Sequence, residues 1–441
     1  MPRKDKKVIT SVLPGFMELL PADQLLFNHL KDTIRTAYEK HGFIPLDTPA
    51  IERAEVLLAK AGGETEKQIY NFTKGDNDLA LRFDLTVPLA RYVSEHANEL
   101  NFPFRRYHIA KVYRGERPQK GRFREFYQCD IDIIGRDSLS LINDAEILSV
   151  IYSVFSDLDL PKFQIRISNR KLVLGLLQEL KLDKQAIEIM RLIDKADKIS
   201  EADLKKTLID LNIAPEPIIK IMAFINIKGD TKQVIQALQK LNINNEVYQA
   251  GLMELVEVIK NVKFLGVPDS VYSLDLSIAR GLDYYTGTVY ETVLVDYKEV
   301  GSICSGGRYD SLAENYSDQK FPGVGISIGL TRLFSQLRTL GIIKPEVSSP
   351  TRVVIVPFDK SAAPLALEIG SKLRQKGVAT EIYLEEAKFK NKLSYVNKLG
   401  VKYAVIIGEE EIIGKFFILK DMISGDQARL SEKELLKNLF E

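Results

Sequence analysis

The chain has 441 residues, 45% of them apolar and 27% charged, and its 61 Lys and Arg against 60 Asp and Glu leave a formal net charge of +1. That length can bury about three domain cores without metal or disulfide staples, and the balanced charge excludes a protein that coats nucleic acid or lies on acidic membrane by bulk charge. Two distant cysteines (Cys129, Cys304), four scattered histidines, no CxxC pair and no apolar run of 18 residues point to a cytoplasmic, non-membrane protein in a reducing compartment, and the basic start MPRKDKKVIT leads into no apolar signal core.

In chain order, Leu25, Leu26, Leu30, Ile34 and Ala37 recur at helical spacing and predict a helix from Gln24 to Lys40, which Gly42 ends. GFIPLDTPAIE reads as a short strand whose two prolines suit an edge or an interface. From Leu79 to Ile134 the pattern is strand and hairpin around one helix, Thr86 to His96; Ser138 to Leu158 is helical, and Phe163 to Ser168 is a strand. Residues 171–265 are almost continuous amphipathic helix, the signature of an insertion. Strand character returns at VYSLDLSIARGLDYYTGTVYETVLVDY, and Phe321 to Phe334 is a strand-to-helix turn. After the linker IIKPEVSSPT, strands Arg352 to Pro357, Thr380 to Leu384 and Tyr403 to Gly408 alternate with helices Ala362 to Lys376 and Ala387 to Leu399, which predicts a small parallel-sheet domain.

Five stretches carry candidate chemistry. Between Arg105 and Arg124 stand eight Lys or Arg and one acid, Glu116. Both flanks alternate at period two around the turn-like GERPQKGR, so the unit is a hairpin with a long loop; Arg124, Phe126, Gln128, Asp130 and Asp132 share one face, and the first strand ends in Arg114. Such a face is either solvated or a nucleotide site, in which a ring stacks on a base and guanidiniums meet phosphates. IARGLDYYTGTVYE brings Arg280, Asp283, Tyr284 and Tyr285 to the start of a strand, as a polar pocket lining or as exposed tyrosines. The glycine pair of SGGRYD marks a tight turn or a close approach to a ligand. GVGISIGLTRLF has its glycines within a strand, where a flat ring could lie on the sheet, and Arg332 in the first turn of the helix. LRFDLTVPLAR aligns Arg82, Asp84 and Thr86 on one face of a strand, suited to an ammonium group, unless Asp84 or Thr86 is a helix cap. No GxxxxGK[ST] loop and no HExxH occurs, so ATP chemistry would fall to arginines on an antiparallel sheet.

Taken together, these stretches resemble the class II aminoacyl-tRNA synthetases, and within them the histidyl-tRNA synthetase family. GFIPLDTP resembles motif 1, FRRYHIAKVYRGERPQKGRFREFYQCDIDIIG motif 2 and GVGISIGLTRLF motif 3, while ARGLDYYTGTVYE and SGGRYD resemble the two histidine signatures. The resemblance implies an α+β fold: an antiparallel catalytic core over 1–168 and 266–345, a helical insertion at 169–265 and an α/β anticodon-binding domain at 350–441. It implies ATP-dependent formation of histidyl-adenylate and transfer of the histidyl group to tRNA(His), with Mg²⁺ on the β- and γ-phosphates, in a homodimer. Arg114 would bridge the substrate carboxylate and the α-phosphate, with Arg280 on the opposite side. Arg122 and Arg332 would hold the outer phosphates, and Phe126 would stack on adenine with Glu116 nearby. Asp84, Thr86 and Gln128 would bind the α-amino group of L-histidine; Asp132, Tyr285 and Tyr309 would bind its imidazole. Family members often carry Glu where this chain has Asp84 and Asp132. Gln119 would meet the tRNA end, the insertion the acceptor arm, and the basic helix AKFKNKLSYVNKL, with four Lys and no acid, the anticodon region. Two rival resemblances are the synthetase-like regulatory subunit of ATP phosphoribosyltransferase, which typically lacks the anticodon domain and catalytic residues, and the class II synthetases for threonine, proline or glycine, against which RGLDYYTG argues.

Overall fold

A computed structural model describes residues 9–59, 66–117, 121–196, 199–278, 284–311 and 313–440. Its contacts divide the chain into two compact units, one of 1–17 with 30–340 and the other of 18–29 with 341–441.

The first stretch of the chain is α1 (Pro21–Lys40), β1 (Ile44–Pro45), β2 (Ile51–Arg53), α2 (Ala54–Leu58), β3 (Asn71–Lys74), β4 (Asn77–Leu81) and α3 (Thr86–Glu95). The hairpin β5 (Phe104–Tyr113) and β6 (Glu125–Ile134) follows, then α4 (Ile142–Asp157) and β7 (Phe163–Asn169). The expected strand through GFIPLDTPAIE is two short strands in two sheets. β1 sits at one edge of the large sheet and β2 at an edge of a three-stranded sheet ordered β2-β4-β3. The separating segment carries Pro49, which has no N–H to give to a ladder.

Among the described residues, six α-helices lie in the predicted insertion: α5 (Arg170–Glu179), α6 (Ala186–Ile193), α7 (Glu201–Asp210), α8 (Pro215–Ile225), α9 (Thr231–Lys240) and α10 (Glu246–Phe264). Their starts are chemically marked. The Ser200 side chain accepts from the Asp203 N–H, Asp230 forms a capping box with Gln233, and Asn245 accepts from Val247 and Tyr248. The long α10 packs on α5 and α4 within the first unit.

β8 (Tyr272–Leu274), β9 (Thr288–Leu294), β10 (Ser302–Tyr309) and β11 (Gly323–Gly329) then complete an eight-stranded sheet, and α11 (Leu330–Thr339) follows. The strand order is β1-β5-β6-β11-β10-β9-β7-β8. The pairs β1–β5 and β7–β8 are parallel and the rest antiparallel. One surface is apolar, with Cys129, Ile131, Ile133, Ile326 and Ile328 at most 3% exposed. α4 lies on this side, and Tyr290 Oη donates to the Asp144 carbonyl at 2.9 Å.

The second unit contains β12 (Val353–Pro357), α12 (Ala363–Gln375), β13 (Thr380–Ile382), α13 (Phe389–Leu399), β14 (Tyr403–Ile407), α14 (Glu409–Gly414), β15 (Phe417–Asp421), β16 (Gln427–Leu430) and α15 (Glu432–Phe440). The predicted parallel strands are present, but the sheet is mixed. Its order is β13-β12-β14-β15-β16, and its last two strands run antiparallel. Of the four lysines in the basic helix, Lys392 is turned inward, with its Nζ on the Pro357 carbonyl at 2.8 Å.

Candidate active site

The polar surface of the large sheet follows from register. Directly opposed residues of antiparallel strands share a face. The pairings Arg106↔Asp132, His108↔Asp130 and Ala110↔Gln128 join β5 to β6. They continue into β11 as Asp132↔Gly325, Asp130↔Ser327 and Gln128↔Gly329, and on to β10 as Gly325↔Gly307 and Gly323↔Tyr309. Above this surface lies a cleft of about 450 Å³. It gathers Asp84, Thr86, Gln128, Asp132, Tyr285 and Tyr309 of the residues expected around an amino acid. It also gathers Arg114, Glu116, Arg122, Phe126 and Arg332 of those expected around a nucleotide. Arg280 and Gln119 lie outside the described residues.

Asp84 and Thr86 are not on a strand, because β4 ends at Leu81 and Thr86 opens α3. The cap and the site turn out to be compatible. Asp84 Oδ1 accepts the Val87 N–H at 3.1 Å, while its buried Oδ2 meets no partner among the described residues. Burial pushes the Asp84 carboxyl up to about 6, against the pull of the Val87 N–H and the nearby Arg114 and Arg106. Arg82, expected beside them, instead ties segments together, with Nε on the Lys111 carbonyl at 2.9 Å and Nη1 on Asp47 at 3.3 Å.

Asp132 is held from two sides. Tyr309 Oη donates to its Oδ1 at 2.8 Å, and Arg106 Nη2 lies 2.5 Å from its Oδ2. Burial raises the Asp132 carboxyl, and Arg106 and the tyrosine oppose the rise. Tyr284 stands edge-on to both Tyr285 and Tyr309, with ring centroids 4.7 and 6.1 Å apart. SGGRYD, read as a turn or a close approach, lies within β10 up to Tyr309, so its glycines do not turn the chain; they serve packing, and Gly306 also lines the cleft. A Cβ on Gly306 would stand 2.1 Å from the Gly325 carbonyl oxygen. One on Gly325 would stand 2.3 Å from Asp132 Oδ1, and one on Gly323 would enter the Tyr309 ring at 2.5 Å. The motif-3 glycines therefore make room for these two site side chains.

At the nucleotide residues, the Arg114 guanidinium carbon is 5.2 Å from the Phe126 ring centroid and its Nε donates to the Phe83 carbonyl at 2.9 Å. Arg332 Nη2 donates to the Val300 carbonyl at 2.9 Å. Arg122 is 3.6 Å from Glu116 and more than half exposed.

The basic cluster of the hairpin is not one patch. Arg105 forms a two-pronged pair with Glu146 at 2.9 and 2.6 Å, and Lys111 pairs with Glu125 at 2.6 Å. Arg124 donates to the Glu116 carbonyl at 3.1 Å, and Arg106, fully buried, serves Asp132. Arg106, beside Asp132, and Ser327, beside Gln128, are among the described site residues that the motifs did not single out. For Arg106 the signal was there: period two from Arg114 back along β5 leads to it. A buried pair of Arg308 with Asp144, at 2.6 Å, was not legible.

An antiparallel sheet whose polar face joins arginines and a ring on a motif-2-like hairpin to an arginine at the start of the following helix is the architecture of the class II aminoacyl-tRNA synthetases. Residues 15–333 match the family model for histidyl-tRNA synthetase and residues 352–441 that for an anticodon binding domain. The chain belongs to the histidyl-tRNA synthetase family. It is 56% identical to the histidine–tRNA ligase of Clostridium tetani over 97% of both chains. The crystal structure of histidyl-tRNA synthetase from Nostoc superposes with a TM-score of 0.90 at 41% identity, covering 98% of this chain and 99% of that one. An ATP phosphoribosyltransferase regulatory subunit/histidyl-tRNA synthetase from Bacillus halodurans shares the fold alone, with a TM-score of 0.75 at 19% identity, over 91% of this chain and 99% of that one.

Proposed function

We propose that this cleft activates L-histidine with ATP and that the protein passes the histidyl group to the 3′ end of tRNA(His), as a cytoplasmic homodimer. The observation that carries the reading is one cleft lined by both a set of buried acceptors and a set of arginines. Asp84, Thr86 and Gln128 would take the α-ammonium group, and Asp132, Tyr285 and Tyr309 the imidazole. Arg114 and Arg280 would take the α-phosphate from its two sides, Arg122 and Arg332 the outer phosphates, and Phe126 the adenine ring, with Glu116 beside it.

The histidine carboxylate attacks the α-phosphorus, a new P–O bond forms, and the bond to pyrophosphate breaks. Negative charge gathers on phosphoryl oxygens, so the work of the protein is alignment and fixed positive charge rather than covalent catalysis. A ribose hydroxyl of the tRNA then attacks the acyl carbon, loses its proton and releases AMP. Mg²⁺ enters with ATP as part of the substrate. Such an ion would be held mainly by phosphates and water. Gln119 is proposed to meet the tRNA end, the insertion (169–265) the acceptor arm, and the unit over 350–441 the anticodon. Dimerisation is supported by the motif-1 resemblance and by exposed apolar Ile44, Ile51 and Phe72 on short strands. No described helix is long and apolar enough to cross a membrane.

ATP–pyrophosphate exchange measured with each of the twenty amino acids tests the reading. Exchange is expected with histidine alone; exchange driven by a different amino acid, or by none, overturns it.

A further inference from the structure

Asp132, at the ring end of the proposed amino-acid site, draws its countercharge from a residue that is not among those lining the cleft. Arg106 has no exposed surface. Its Nη2 lies 2.5 Å from Asp132 Oδ2 and donates to the Leu85 carbonyl at 3.3 Å, between Asp84 and Thr86. Its Nε and Nη1 are buried with no hydrogen-bond partner among the described residues, where its one ion pair is with Asp132.

A buried carboxylate left without a cation takes up a proton rather than remain charged. Asp84 and Asp130 are buried in the wall of the same cleft, and like charges crowded together favour protonation further. Burial raises the Asp132 carboxyl, and of the two groups that oppose the rise Arg106 is the stronger, ahead of the Tyr309 hydroxyl. The protonation state decides what the group can recognise. Ionised, Asp132 can only accept a hydrogen bond; protonated, it has an O–H to give. Tyr309 Oη, which donates to Oδ1 at 2.8 Å, suits the ionised form.

We infer that Arg106 fixes Asp132 as a hydrogen-bond acceptor and thereby selects, at the ring end of the cleft, a side chain that carries a ring N–H. Arg106 is a positioning residue, since it touches Asp132 and not the substrate. An imidazole has such an N–H in either tautomer. A five-membered ring with only an acceptor nitrogen has none, and it leaves the charge of Asp132 facing a lone pair or a sulfur. The inference rests on the proposed amino-acid site and goes beyond it by naming the residue that sets its choice of ring.

Two probes of nearly the same shape as histidine test it. Thiazol-4-ylalanine places an acceptor nitrogen where histidine has Nδ1, thiazol-5-ylalanine places one where it has Nε2, and neither has a ring N–H. Isothermal titration calorimetry gives the affinity of each probe and of L-histidine for the full-length parent, Arg106→Met, Arg106→Lys and Tyr309→Phe. The parent should bind both thiazoles at least about thirtyfold more weakly than histidine, as expected when a charged acceptor loses its donor. In Arg106→Met the protonated Asp132 can donate, so one thiazole isomer should come within about threefold of histidine. Arg106→Lys keeps a cation, and Tyr309→Phe removes the other group on Asp132 but leaves the ion pair, so both should retain a preference for histidine of at least about tenfold. A parent that binds either thiazole as tightly as histidine would overturn the inference. So would an Arg106→Met that weakens all three ligands alike, an Arg106→Lys without the preference, or a Tyr309→Phe that loses it. The parent and Tyr309→Phe decide the matter even where Arg106→Met does not fold. Absence of histidine-dependent exchange in the parent enzyme would instead overturn the functional reading, so the two failures are distinct.

Discussion

At the scale of single residues, the site accumulates buried acid. Burial lifts Asp84 to about 6 and Asp130 to about 7, from an ordinary value of 3.8. An acid whose pKa is higher in the folded than in the unfolded chain retains its proton longer when folded. Between about pH 4 and pH 7 the folded state therefore binds more protons, and the free energy of unfolding falls as pH rises through that window. At pH 8 the full cost, of the order of a few kcal/mol, is present. Ligand-free protein is expected to lose melting temperature from pH 5.5 to pH 8, and Asp130→Asn, which removes the buried charge at nearly constant volume, should melt several degrees above the parent at pH 8. Thermal denaturation followed by circular dichroism decides it; a variant that melts below the parent at pH 8 would show that the Asp130 charge stabilises the fold. Much of this site was legible in the sequence, because period two along β6 already sorted Gln128, Asp130 and Asp132 onto one face. The fates of the neighbouring arginines were not, because their partners Glu146 and Asp132 lie 41 and 26 positions away in the chain and no local pattern links them.

At the scale of elements, the hairpin, the helix after β11 and the run of insertion helices follow from periodicity and capping chemistry, and each is found where the pattern put it. The short strands went astray. β1 and β2 are two and three residues long, and β15 and β16, of five and four residues, were not anticipated, because strands this short carry too few alternations to signal a face. The glycines of β10 and β11 were read as turn or ligand contacts, whereas a β-sheet can also use a missing side chain to admit its neighbour's. Gly325→Ala tests this. The added methyl would meet both the Ile131 carbonyl and the Asp132 carboxylate at 2.3 Å, and the backbone oxygen cannot swing aside. KM for histidine in pyrophosphate exchange should rise by about tenfold or more, as expected when a buried partner is displaced, and KM for ATP should move far less. An unchanged histidine KM would mean that Asp132 has room the structure denies it.

At the scale of the whole molecule, the near-zero net charge limits indiscriminate RNA binding and leaves recognition to local groups. In the second unit the candidates are Lys390 and Lys398 on α13 and Lys388 at its N-cap, since Lys392 is committed to the Pro357 carbonyl. Replacing Lys388, Lys390 and Lys398 together by alanine should flatten the dependence of log K for tRNA on log salt by about two to three. Filter-binding titrations across a salt series measure the slope, and an unaltered slope would remove this helix from the tRNA interface.

The strand order of the large sheet also bears on how the protein is made. β6, which carries most of the polar face, has β11 as its neighbour, and their paired residues are separated by as many as roughly 200 positions, the span of the insertion and of β7 to β10. On the ribosome, β6 emerges with one side unpaired and must wait about 10–40 s, at ordinary elongation rates, for the strand that covers it. The nascent chain thus holds the floor of its own catalytic cleft open as a bare sheet edge for much of translation, and it is during that interval that chaperone protection would matter most.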